Sequence, residues 1–97
     1  SRIASRHMKR TASKTAASMA KHIRALKKMF PKSMIRDGKE WDGRSGFIWT
    51  GFGEDGTSNS YRAGYPDEHH PKLQAYMDKH GLYGEWYDSG TLMIYPV

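Results

Sequence analysis

The 97-residue chain has no cysteine. That excludes disulfide staples, zinc clusters built on thiolates and thiol nucleophiles. It also has no apolar run near the ~20 residues of a membrane-spanning helix, and no apolar stretch follows the basic N-terminal segment as it would in a secretory signal. Serine nucleophile elbows, Walker lysines and H-E-x-x-H spacings are missing as well. The G-x-G-x-x-G run Gly51 to Gly56 follows an expected strand, but it carries Glu54 and Asp55, which would repel a pyrophosphate, and no helix follows it. It reads as a turn.

The scarcest feature is negative charge in the first third, where no acid occurs between Ser1 and Arg36. Residues 1 to 39 hold twelve of the sixteen Lys/Arg and one acid, Asp37, a net +11; residues 40 to 97 hold four bases and nine acids, a net -5, together the +6 of the whole chain. Such two-sidedness points to a basic surface for nucleic acid, an anionic membrane or an acidic protein, or to complementarity between the halves within one molecule or across a homodimer. The apolar share is 37% and the mean hydropathy -0.83, while aromatics reach 12%. This composition describes one small domain with a modest core and wide polar margins.

Ser1 to His7 precede Met8 as a cloning remnant would, His-Met being what an NdeI site encodes, and the domain is expected over 8–97. Together with the next twenty residues, the segment also resembles a transit peptide, a lower-ranked reading. From about 13 to 30 the pattern is helical. Ala12, Ala16, Met19, Ile23, Leu26 and Phe30 form an apolar ridge, Lys14, Lys21 and Lys28 lie opposite, and Pro31 ends the helix. A second copy of the chain is an alternative cover for that apolar ridge.

Ser33 to Arg36 reads as a short strand, Asp37 to Gly46 as a polar loop, and Phe47 to Phe52 as an inner strand with Phe47 and Trp49 on one face and Ile48 and Phe52 on the other. Gly53 to Ser60 is turn-like and mobile in composition, and Tyr61 to Tyr65 could extend as an edge. Pro71 opens a second helix, capped by Asp67 or His70, whose face carries Leu73, Tyr76, Met77 and His80 until Gly81 stops it. A hairpin ends the chain. Tyr87 facing Thr91 across the loop Asp88-Ser89-Gly90, with glycine in the left-handed position, sets Trp86 against Leu92, Glu85 against Met93, Gly84 against Ile94 and Tyr83 against Tyr95.

The expected fold is an α+β two-layer sandwich of order α-β-β-α-β-β, helices on one face of a mostly antiparallel sheet. A weak echo, Glu40-Trp41 … Phe47-Ile48-Trp49 against Glu85-Trp86 … Thr91-Leu92-Met93, suggests an αββ unit used twice. In that version the first strand runs from Ile35 to Trp41 and turns at Asp42 to Ser45.

The expected function is that of a small non-enzymatic binding protein without cofactor or metal. Lys14, Lys21, Arg24, Lys27, Lys28 and Lys32 would engage the phosphates of DNA or RNA, with Tyr83, Tyr87 and Tyr95 as stacking residues if that strand face is open. Sheet tyrosines are more often simply half-exposed or covered by a helix. The alternative is a phage- or mobile-element-type adaptor or inhibitor docking an acidic protein surface, with Trp41, Trp49 or exposed tyrosines as anchors. The absence of cysteine leaves the redox compartment undetermined and fits the expected cytoplasmic, intracellular setting. Enzyme chemistry is the least supported class, because the acids are scattered and a metal site around His69 and His70 lacks helical ligand spacing.

Overall fold

A computed structural model describes residues 19–59 and 67–97. The proposed remnant Ser1–His7, Lys14 and the expected edge 61–65 lie outside the described residues. Residues 19–29 are helical and form α1; then come β1 (Ile35–Asp37), α2 (Lys39–Asp42), β2 (Ile48–Thr50), β3 (Ser58–Asn59), β4 (Glu68–His69), α3 (Pro71–His80), β5 (Leu82–Asp88) and β6 (Thr91–Pro96). The α+β class and two-layer arrangement match the expectation from sequence.

Four strands make one antiparallel sheet in the order β1-β2-β6-β5, and β3 pairs with β4 in a separate two-stranded ribbon. The second strands of the two hairpins meet at the centre, where Ile48 faces Ile94, Trp49 faces Met93 and Thr50 faces Leu92. Side chains alternate across a strand, so this register sends Ile35, Ile48, Leu92 and Ile94 to one face and Arg36, Trp49, Met93 and Glu85 to the other. The first set joins Met19, Ile23 and Leu26 of α1 and Leu73 and Met77 of α3 in the core. Both helices therefore cover one face. The outer face carries no helix of comparable length.

Local chemistry explains the clearest boundaries. Pro71 needs no N–H at the first turn, His70 Nδ1 accepts the Lys72 N–H (3.1 Å), and Gly81 (φ 64) returns its N–H to the Met77 carbonyl. The cap is thus His70 and not Asp67. Thr50, fully buried, donates its hydroxyl to the Leu92 carbonyl (2.8 Å) and so costs the sheet centre no unpaired polar group.

Four expectations need correction. The loop after β1 contains α2, closed by Gly43 (φ 82) in the left-handed region. The turn-like stretch that begins at Gly53 contains β3 at Ser58–Asn59. In the hairpin, Asp88 replaces Tyr87 opposite Thr91, with a register shift between Trp86 and Asp88, and Gly90 is not among the positive-φ glycines. The cause is the Asp88 carboxylate, which accepts the Gly90 N–H (2.9 Å) and tightens the turn, leaving Tyr87 in a bulge. Finally, the sequence echo does not align: Glu40-Trp41 lies on α2 whereas Glu85-Trp86 lies on β5. The strand position equivalent to Glu85 is Arg36, each flanking the central Trp49/Met93 pair.

Candidate binding surfaces

The first surface is the outward side of α1. At 100° per residue, Met19, Ile23 and Leu26 point into the core and Lys21, Arg24 and Lys28 point away from it, with Lys27 on the flank and Lys32 just past the helix end. All five of these cations are exposed. Among the described residues none makes an ion pair; the one pair found there joins Arg36 to Glu40 at 3.9 Å. The spacing that predicted the ridge is the same spacing that buries its opposite side.

The second surface is the outer face of the sheet, built in two cross-strand rows. One runs Arg36, Trp49, Met93, Glu85; the other runs Phe47, Tyr95, Tyr83. Phe47 stacks on Tyr95 (centroids 5.3 Å apart) and Tyr95 on Tyr83 (5.7 Å). α2 then carries Trp41 over the first row, its ring 4.8 Å from Trp49 and 4.8 Å from Tyr87, both edge-to-face. Arg36 lies over Trp49 at 5.9 Å. Between the rows opens a cleft of about 190 Å³ lined by Trp41, Asp42, Phe47, Glu85, Trp86, Tyr87, Met93 and Tyr95.

The five aromatic anchors expected from sequence, Trp41, Trp49, Tyr83, Tyr87 and Tyr95, thus share one face. They do not share it with the basic ridge, because α1 packs on the opposite side of the sheet. Asp42, Phe47, Glu85, Trp86 and Met93 line the cleft without having been among the residues that sequence reasoning singled out. The outward alternation of β6 signals Met93, but only α2 explains why Asp42 joins it. Tyr95 has its phenol pushed above the ordinary range, first by burial and then by the charges of Glu85, Tyr83 and Asp42.

Two histidine clusters remain. His69 Nδ1 is 2.7 Å from the Ser58 hydroxyl, a spacing a base and nucleophile could share. Ser58 is fully buried, so no substrate reaches it, and burial holds the His69 pKa below its usual value against the raising effect of Asp67. The pair is a structural pin between β3 and β4. His70 caps α3 instead, so the adjacent imidazoles engage different partners. On the helix side, His22 Nδ1 meets the Tyr76 hydroxyl at 2.7 Å, with the His80 ring 5.1 Å away. No group of three or more potential metal ligands converges among the described residues.

No protein family, curated protein or solved structure matches the chain. No helix among the described residues is long and apolar enough to cross a membrane.

Proposed function

We propose that this protein is a small, non-enzymatic nucleic-acid-binding protein whose α1 ridge engages the phosphate backbone with little sequence preference. The observation that carries the reading is the exposure of Lys21, Arg24 and Lys28 on the outward side of α1, with Lys27 on its flank and Lys32 just past its end, without an acidic partner among the described residues. Aligned cations of this kind displace counterions condensed on DNA or RNA, which supplies affinity without base contacts. The tyrosines of the outer face take no part, since they look the other way. An intracellular setting fits this ligand.

The test is binding of nuclease-treated protein to labelled single- and double-stranded DNA and RNA across a salt series. If three to five cations neutralise phosphates, the log-log slope on duplex DNA falls between about -3 and -4.5. Lys21→Glu with Lys28→Glu should cost at least tenfold in affinity and flatten the slope by about 2. Unchanged affinity in that variant overturns the proposal. Absence of binding at low salt would assign the ridge to the acidic protein surface that the alternative reading requires, to be found as a nuclease-insensitive stoichiometric partner.

A further inference from the structure

The aromatic cleft on the outer face has a chemistry of its own, independent of the nucleic-acid reading. Its volume, about 190 Å³, is below the ~300 Å³ at which drug-sized ligand pockets begin, so it suits a head group or one side chain. Its walls are π faces and edges: Trp41 with Tyr87 on one side, Phe47 with Tyr95 on the other, and Met93 between them on the sheet. Its charges have one sign. Asp42 and Glu85 line it, no lysine or arginine does, and neither carboxylate forms an ion pair among the described residues. Asp42 accepts the Arg44 backbone N–H (2.9 Å), which orients its carboxylate without neutralising it.

Other ligand classes fit worse. An anion would meet two carboxylates and the negative faces of several rings. A neutral apolar group would desolvate those carboxylates without compensation. A metal ion would find two carboxylates and no imidazole. A weakly hydrated organic cation gains from every component: ring quadrupoles attract it, the carboxylates balance its charge, and its methyl groups pack on Met93. The protein already shows the same preference next door, where Arg36 lies over the Trp49 ring.

We propose that the cleft bounded by Trp41, Phe47, Tyr87 and Tyr95, with Asp42 and Glu85 at its margin, is a receptor site for a substituted ammonium group. Such a group is carried by a free quaternary ammonium compound of the choline type or by a methylated lysine side chain of a partner protein. Trp41 closes the site, because α2 holds it over the sheet, and Glu85 sets the sign of charge that is accepted.

The test uses the full chain labelled with 15N, titrated with choline, with an Nα-acetyl-trimethyllysine amide, and with 3,3-dimethylbutan-1-ol, the neutral isostere of choline. The expected result is saturable shifts of the indole signals of Trp41 and Trp86, the two tryptophans that line the cleft, with at least one cation, and at least tenfold weaker binding of the neutral isostere. Preference between the two cations identifies the source. Trp41→Ala should abolish the saturable shifts; Glu85→Gln, which keeps shape and removes charge, should weaken cation binding several-fold and leave the isostere unchanged. Failure of both cations to saturate overturns the proposal, as does equal binding of the isostere or indifference to Glu85→Gln in a variant that melts like the parent.

Discussion

At the scale of single residues, the outer face depends on an absent side chain. Gly38 has ordinary backbone angles (φ -59), so conformational freedom does not demand glycine there. Space does: a Cβ on Gly38 would stand 2.5 Å from three atoms of the Phe47 ring, while the Gly38 N–H donates to the Phe47 carbonyl (2.8 Å). Gly38→Ala must push Phe47 off Tyr95 or spread β1 from β2. The expected cost is about 1–3 kcal/mol, as for other overpacked sites, read from urea melts. The same variant should lose the cleft's affinity for choline. A stability change under 0.5 kcal/mol would mean that Phe47 has room to move. Nothing in the sequence around Gly38 announced this role, because it depends on a ring nine positions away. Thr50 is similar: its buried hydroxyl is intelligible only once β6 is known to present the Leu92 carbonyl to it.

At the scale of elements, legibility followed the range of the forces. α3 could be placed from proline at its start and glycine at its end, both of which act within a few residues. The register of β5 against β6 followed from alternation, and it failed only at Tyr87, where the Gly90 N–H, donated to the Asp88 carboxylate, reshapes the turn. α2 escaped notice because four residues carry no periodicity, and β3 and β4 escaped because two-residue strands are defined by each other. The consequence for the cleft is direct: its β5 and β6 side chains could be paired from the sequence, and its closure by Trp41 and Asp42 could not. α1 offers the sharpest test of the division between folding and binding. Leu26→Ala, at a fully buried position of the core cluster, should cost about 2–5 kcal/mol. Lys21→Glu with Lys28→Glu, on the opposite side of the same helix, should change stability by roughly 0.5 kcal/mol or less per site. Thermal melts of the two variants beside their DNA affinities separate the helix's two faces. Comparable destabilisation by both would show that the ridge packs against something.

At the scale of the whole molecule, the charge asymmetry becomes spatial. Two surfaces of different chemistry are separated by the thickness of a sheet and one helix layer; His22 and His80 belong to that layer, and His69 to the β3-β4 ribbon. His22 has its pKa held below the ordinary 6.5 by burial, then by His80 and Lys21. His69 is held low by burial as well. The unfolded chain therefore binds these protons more readily than the folded one. Stability is fully present above about pH 6.5 and falls on acidification, until the pH drops below the depressed folded values. The melting temperature should decline as the pH falls below about 6.5, and His22→Gln should flatten that decline. A flat profile in the parent would show that neither ring is held neutral.

The opposed placement of the ridge and the cleft also makes a prediction about coupling. A ligand on one surface alters affinity at the other only through differential interaction with two states of the protein. The sheet between them is a packed layer with Ile48, Leu92 and Ile94 all at 0% exposure, leaving little room for an alternative arrangement. Direct electrostatic help is also weak, because charges farther apart than a Debye length of ~8 Å at physiological salt are largely screened. Choline at saturation should therefore change duplex DNA affinity by less than about twofold at constant ionic strength, with sodium chloride as the matched control. DNA should equally leave the choline shifts of Trp41 intact, by the reciprocity of linkage. A tenfold effect in either direction would mean that α1 and the outer face move as one element, and that the two halves of the chain act as a switch.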